Sequence, residues 1–197
     1  MPEDIFAQLD QELEGMKSVI IEDMDKLNSQ KVEITKELIE FFWNIWIRFD
    51  RIKVHFTVEP GPQDFATFEE YPEKWHFKES MNFAAIDTIS LTDKTQAGGR
   101  IGDKIEARFY SVDKTLHLRV VYEYCDGEHY YKYSGWKRIF AQNIIYDSPV
   151  EKAKMGKIWE VVSDIVKIWF ESHLRRNRDM ILKYVKDNFE KGETFTH

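Results

Sequence analysis

Two arginines in neighbouring predicted strands carry the clearest chemical signal of this sequence. Arg108 lies in "KIEARFYSV" and Arg119 in "LHLRVVYEY", two segments in which apolar and polar residues alternate. Such alternation is typical of strands with one buried face. The apolar residues are odd-numbered in the first segment and even-numbered in the second, so facing residues must have numbers with an odd sum. A two-residue turn at Asp113 and Lys114 then predicts that Arg108 faces Arg119.

The same parity argument brings further side chains to this polar face. Asp-Gly at 126–127 is the strongest short hairpin signal in the chain and sets the register of the next strand pair. It predicts Ser134 opposite Arg119, and Trp136 opposite His117. With Thr88 of the preceding strand and Tyr110 added, the predicted ligand-binding residues are Thr88, Arg108, Tyr110, His117, Arg119, Ser134 and Trp136.

Opposed arginines favour an anion between them, because two like charges in facing positions destabilise a sheet. Guanidinium groups bind carboxylate or phosphate as a fork, and nearby hydroxyls and rings complete such a pocket. A small anionic or aromatic ligand is therefore one hypothesis, and His117 acting as a general base is another. The alternative is an ordinary solvated face on which Glu106 and Glu123 neutralise the arginines diagonally.

No other pattern indicates catalysis, a metal or a cofactor. The single cysteine, Cys125, excludes a disulfide within the chain and a cysteine-based zinc site. The predicted register places Cys125 and His129 on opposite faces, which argues against a thiol–imidazole dyad. The six histidines show no metal-binding spacing, and "AGGRIG" lacks the ending of a phosphate-binding loop. We therefore expect no catalytic residue, no metal and no cofactor.

The polar face belongs to a sheet predicted over residues 82–146. Alternating segments separated by glycine-rich and Asp-Gly turns indicate a four-stranded antiparallel meander. "SPVE" at 148–151 supplies an N-cap serine, a proline at N1 and a glutamate at N3, so a long helix is predicted over 148–190. Its apolar stripe, Ile158, Val162, Ile165 and Trp169, would cover one face of the sheet. The fold class is therefore α+β.

Residues 1–56 are predicted to form a helical arm, followed by a packed connector at 57–81. Asn28 and Ser29 could end one helix and cap the next, so the pattern leaves open one long helix or two. Together with the sheet and the C-terminal helix, these segments make a single domain over 1–197. Apolar residues of the first helical part form a seam typical of coiled coils, with Phe6, Leu9, Leu13, Met16, Ile20, Met24 and Leu27.

The stretch "ELIEFFWNIWIRFDR", residues 37–51, is apolar on nearly every side of a helix. The sheet and the C-terminal helix are too few neighbours to bury three sides of it, and an uncovered patch of this kind is an association site. We therefore predict a homodimer that forms through its helices. The alternative is that the chain buries this helix unaided. The predicted interface residues are Phe41, Phe42, Trp43, Trp46 and Phe49.

Composition narrows the classes of partner. The net charge of −7 over 197 residues disfavours nucleic acid, whose phosphates must be neutralised by basic residues. Charged residues such as Glu40 and Arg48 interrupt the aromatic helix, so we expect no membrane-spanning segment. The acidic, amphipathic N-terminus does not resemble a signal peptide, and we expect the protein in the cytoplasm.

These features lead to one main hypothesis and two alternatives. The main hypothesis is a non-enzymatic cytosolic interaction protein, adaptor or chaperone-like, that forms a homodimer and binds a protein partner. It rests on the aromatic helix, the N-terminal seam and the lack of a catalytic motif. The alternatives are a protein that binds a small anionic or aromatic ligand on the polar sheet face, and an enzyme that uses His117 as general base.

Overall fold

The computed structural model describes residues 2–66, 74–94 and 102–196, which adopt an α+β fold. The N-terminal segment is one uninterrupted helix, which settles the question that the sequence left open. At 50 residues this helix is about 75 Å long. The helices are α1 (Pro2–Arg51), α2 (Pro62–Phe65), α3 (Met155–Leu174) and α4 (Asp179–Asn188). The strands are β1 (Phe56–Glu59), β2 (Thr88–Asp93), β3 (Lys104–Val112), β4 (Thr115–Tyr131), β5 (Gly135–Pro149) and β6 (Glu190–Thr196).

The described residues form one antiparallel sheet with strand order β1-β2-β3-β4-β5-β6. The prediction of four strands was therefore wrong. Strand β1 begins at Phe56, the last residue of the predicted helical arm, and continues into the predicted connector; Phe56 and Val58 point inward and alternate with exposed residues. Strand β6 lies where the helix was predicted to end, and Phe195 stacks on Phe140 of β5 at 5.9 Å. Strand β1 has only four residues, and in β6 exposed and partly buried residues do not alternate, so neither segment shows a clear period of two.

The β4–β5 hairpin turns at residues 132–134, and the prediction of a turn at 126–127 was wrong. Strand β4 continues through Gly127, and the ladder absorbs Asp126 as a bulge between Cys125 and Gly127. A bulge inserts one residue into one strand without ending the pairing. The pairing beyond it includes an edge-to-face contact of Tyr130 with Trp136, whose ring centroids are 5.6 Å apart.

The C-terminal helical region is two helices rather than the single helix predicted over 148–190. The predicted start was also wrong, because Ser148 and Pro149 belong to β5 and α3 begins at Met155. Helix α3 ends in a tight cap, in which Arg176 N donates to His173 O at 3.1 Å and Asn177 N donates to Ser172 O at 2.9 Å. This cap requires a left-handed residue, and Arg176 occupies that position with φ 50°. The chain then reverses into α4, which buries Ile181 and Val185.

The core lies between the inner face of the sheet, the second half of α1, and α3. Trp169 of α3 contacts the inner-face ring of Tyr122, with centroids 5.5 Å apart. Trp43 of α1 contacts Trp75 of the connector at 5.0 Å, which explains why that segment carries aromatic residues.

The chain itself covers most of the aromatic surface of α1. Phe42, Trp43 and Phe49 are buried, whereas Phe41 and Trp46 are half-buried. The indole N–H groups donate to backbone oxygens, Trp43 to Pro60 at 2.7 Å and Trp46 to Phe56 at 3.1 Å. The three buried rings are core residues, so the dimer prediction loses the support that it drew from them.

No helix in the described part of the chain is both long enough and apolar enough to cross a membrane.

Candidate functional site

The outer face of the sheet, opposite the helices, carries the predicted arginine pair. Thr88 pairs with Arg108, Arg108 with Arg119, and Tyr110 with His117. The predicted register of β2, β3 and β4 is therefore confirmed.

The strand beyond Arg119 supplies an anion from the chain itself. Arg119 pairs with Asp147 in the ladder, and Arg119 Nη2 lies 2.7 Å from Asp147 Oδ2. The Tyr110 hydroxyl donates to Asp147 Oδ1 at 2.7 Å, and His117 Nδ1 lies 3.5 Å from the same oxygen. Burial alone would raise the pKa of Asp147, but hydrogen bonds from Tyr110 and Arg119 and the guanidinium charge hold it below its ordinary value.

Arg108 belongs to a closed ring of five polar side chains. Arg108 Nη2 donates to Gln142 Oε1 at 2.8 Å, and Gln142 Nε2 donates to Glu123 Oε2 at 2.7 Å. Lys104 Nζ lies 3.1 Å from Glu123 Oε1 and 2.8 Å from Glu106 Oε2. Glu106 Oε1 lies 3.9 Å from Arg108 Nη1 and closes the ring. Two cations and two carboxylates balance, so these contacts favour the charge-ladder alternative over a ligand site at Arg108.

Ser134 and Trp136 do not join this group. The hairpin is longer than predicted, so Trp136 pairs with Tyr130 rather than with His117. Tyr130 lies roughly 36 Å along β4 from Arg119, at about 3.3 Å per residue. Both Ser134 and Trp136 are exposed near the hairpin tip.

The inner side of the molecule holds a second group of ionisable residues, which the sequence interpretation missed. Asp103, just before β3, has only 1% of its surface exposed. Arg178 forms a two-pronged ion pair with it, and the Tyr122 hydroxyl donates to Asp103 Oδ2 at 3.2 Å. Burial raises the pKa of Asp103 although Arg178 opposes that rise, and burial together with the Asp103 charge raises the pKa of Tyr122 well above its ordinary value.

Beside this pair, Asp93 and His173 meet at the wall of a cavity. Asp93 at the end of β2 is 2% exposed, and its Oδ2 lies 3.1 Å from His173 Nε2 on α3. The cavity measures about 350 Å³ and lies between the ends of β2 and β3 and the α3–α4 turn. Its lining consists of Asp93, Asp103, Trp169, Ser172, His173, Arg176, Asn177, Arg178 and Ile181. A carboxylate beside an imidazole can orient the ring for binding or proton transfer.

A signal for these residues was present in the sequence. Asp93 follows Ile89 and Leu91 in the same inward phase, and Asp103 precedes Ile105 in the inward phase of β3. A carboxylate at an inward position requires a buried partner. The partners His173 and Arg178 lie on α3 and directly before α4, far along the chain, so their identity could not be obtained from local spacing.

The first half of α1 is the third feature. We call residues 2–27 the extension. Its described side chains between residues 12 and 26 are exposed, including Met16 at 64% and Met24 at 59%. Exposed apolar side chains at helical spacing are typical of an unpaired helix face.

An apolar groove lies at the other end of α1, where that helix meets α3. It measures about 320 Å³, and five of its seven lining residues are apolar. Its lining consists of Ile45, Arg48, Phe49, Ile52, Val166, Lys167 and Phe170. We call it the basic groove, because both of its polar lining residues are cations.

Comparison with known proteins identifies no relative: no protein-family model, no curated protein and no solved structure matches this chain. Within the described ranges, no group of three or more His, Cys, Asp or Glu side chains is placed to hold a metal ion.

Proposed function

We infer that this protein is a non-enzymatic cytoplasmic interaction protein, adaptor or chaperone-like, that dimerises through its helices. The observation that supports this function is the extension. Helix α1 is about 75 Å long, whereas a compact domain of 197 residues has a radius of gyration of about 16 Å. Such a helix is longer than the body that supports it, so one end must remain outside the body.

A partner on the extension explains why the helix is built in this way. Isolated helices are marginal in water, and most helical stability comes from packing an apolar face. Met16 and Met24 present apolar surface to solvent, and burying one such side chain stabilises by about 1.5–3 kcal/mol. A second copy of the chain is the simplest partner, since twofold homodimers are the commonest assemblies.

The mass of the native protein tests this proposal. Native mass spectrometry of the full chain should give a dimer, and the double variant Met16→Asp/Met24→Asp should give a monomer. Tyr133→Asp is the matched control, because Tyr133 is a fully solvated residue at the β4–β5 turn and its change alters charge without touching α1. A wild-type protein that stays monomeric at tens of micromolar would contradict the proposal.

The cavity at Asp93 and His173 favours a second candidate function, the binding of a small polar molecule. Ligand sites are concave and place a few polar groups against an apolar wall, and here Trp169 and Ile181 supply that wall. A bound molecule would appear as a mass excess in the native spectrum that disappears on denaturation. Asp93→Asn should remove that excess, whereas Asp126→Asn, on the exposed bulge of β4, should not. Equal native and denatured masses would count against this candidate.

The polar sheet face has weaker support as a ligand site. Asp147 occupies the position in which an anion was expected beside Arg119, and Arg108 is held within the five-residue ring. The hypothesis of an enzyme that uses His117 as general base stays a prediction.

A further inference from the structure

The basic groove has the composition of a docking surface for an acidic amphipathic helix. Its apolar lining comes from α1, from Ile52 directly after α1, and from α3. Its polar lining comes from Arg48 and Lys167, and Lys167 Nζ also lies 2.8 Å from Asp164 Oδ1. Ile52 at one end of the groove is 48% exposed. Arg51 and Lys53 lie exposed at the same end, together with one exposed carboxylate, Asp50, so residues 48–53 carry a net charge of +2. Apolar surface with a cationic rim matches a helix that carries an apolar seam between carboxylates.

The extension is such a helix. Its sequence holds eight carboxylates and two lysines, a net charge of −6, together with the apolar seam. Five of those carboxylates, Glu3, Asp4, Asp10, Glu12 and Glu14, lie in the first 14 residues, where no basic residue occurs. If two extensions paired with each other, a net charge of −6 would face a net charge of −6 in both the parallel and the antiparallel arrangement. Like charges at such an interface oppose association.

We propose that the extension of one copy docks antiparallel in the basic groove of a second copy, and that the extension of the second copy docks in the groove of the first. This inference rests on the proposed dimer. The docking must be between molecules, because α1 is one uninterrupted helix and its extension cannot fold back to its own groove. The exchange is twofold symmetric and closed, so it ends at a dimer. The most acidic turns of the extension then contact the most basic end of the partner's α1.

Antiparallel overlap sets distances between equivalent residues. When two helices spanning Pro2–Arg51 overlap fully, residue 12 of one lies opposite residue 41 of the other. The two copies of residue 12 are then about 44 Å apart, while the two copies of residue 26 lie within about 15 Å. Two parallel extensions would place both pairs within about 15 Å. Two antiparallel extensions centred on Met16 would place residue 12 at about 15 Å and residue 26 at about 30 Å.

Spin labels on the full chain distinguish these arrangements. In a Cys125→Ser background, which removes the native thiol, labels are attached to Glu12→Cys or to Lys26→Cys, both at exposed positions. The expected result from pulsed dipolar spectroscopy is a distance of about 44 Å for the first variant and a short distance for the second. A short distance at residue 12 would overturn the docking while leaving the dimer in place. Absence of any intermolecular distance, with a monomeric mass, would overturn the proposed function as well.

A charge reversal in the groove gives an independent test. Arg48→Glu removes an attraction and introduces a repulsion at both symmetric grooves, so the dimer dissociation constant should rise by roughly tenfold or more at low salt. Lys114→Glu makes the same change of charge at the exposed β3–β4 turn and should leave the dissociation constant within about twofold. Equal dissociation constants for the two variants would overturn the docking in the basic groove.

Discussion

Replacing Arg178 by methionine is expected to lower the free energy of unfolding by about 2–3 kcal/mol at about pH 7. The substitution keeps much of the aliphatic volume but leaves Asp103, which is 1% exposed, without its cationic partner. It also removes the hydrogen bond that Arg178 donates to Cys125 O at 3.1 Å. Breaking a buried pair from one side costs about 3–5 kcal/mol, and the 35% exposure of Arg178 places this case below that range.

The pH dependence of this loss follows from Asp103. Burial already raises the pKa of Asp103 in the native protein, while Arg178 lowers it, so removing Arg178 raises that pKa further. A carboxyl with a raised folded-state pKa destabilises the fold increasingly as pH rises above the unfolded value. The difference between Arg178→Met and wild type should therefore be larger at about pH 7 than at about pH 4, where Asp103 takes up a proton more readily.

Urea denaturation at both pH values measures this effect. Arg175→Met serves as the matched control, because Arg175 and Glu171 form an exposed ion pair one helical turn apart and its loss should cost less than about 1 kcal/mol. The double variant Asp103→Asn/Arg178→Met should recover part of the loss, since no buried charge remains. A cost for Arg178→Met that equals the control, or that does not change with pH, would refute the reasoning.

Three further predictions each rest on one geometric feature of the structure. Arg176→Gly should raise the free energy of unfolding by about 0.5–1 kcal/mol, because Arg176 has the left-handed φ of 50° that glycine adopts without strain. The gain would be measured as a higher Tm, and an unchanged or lower Tm would contradict this prediction. Gly102→Ala should yield little folded protein in a circular dichroism melt, because its Cβ would overlap the backbone oxygen of Asp93. A normal melt would refute that close approach. Asp147→Asn should destabilise by about 1 kcal/mol at low salt, and by less in high salt, because Arg119 loses its ion pair while it still faces the cationic Arg108. A loss that is independent of salt would count against the charge argument.

The strand registers show which features a local sequence pattern can predict. Alternation and the turn at Asp113 and Lys114 were sufficient to pair Arg108 with Arg119, because the side-chain period of a strand leaves only one phase for a buried face. The next register could not be predicted in the same way, because Asp-Gly occurs in bulges as well as in turns. Which of the two forms depends on how far β5 pairs with β4, and that pairing is a contact between residues distant in sequence.

The aromatic helix shows the same limit for the prediction of burial from a local sequence pattern. Its composition indicated that three sides needed cover, and this requirement was correct for Phe42 and Trp43. The connector and β1 supply that cover from within the chain, and no local pattern specifies which surface a buried ring will meet.

The amino-acid order alone was enough for features that depend on neighbours in the chain: the α+β class, the antiparallel pairing of β2, β3 and β4, and the inward phase of those three strands. The arrangement in space was needed for features that depend on distant residues: the Asp147 contact with Arg119, the Asp93 and Asp103 partners on α3 and near the start of α4, and the groove between α1 and α3. The physical reason is that backbone periodicity is a local property, whereas ion pairs and cavities arise where separate elements meet.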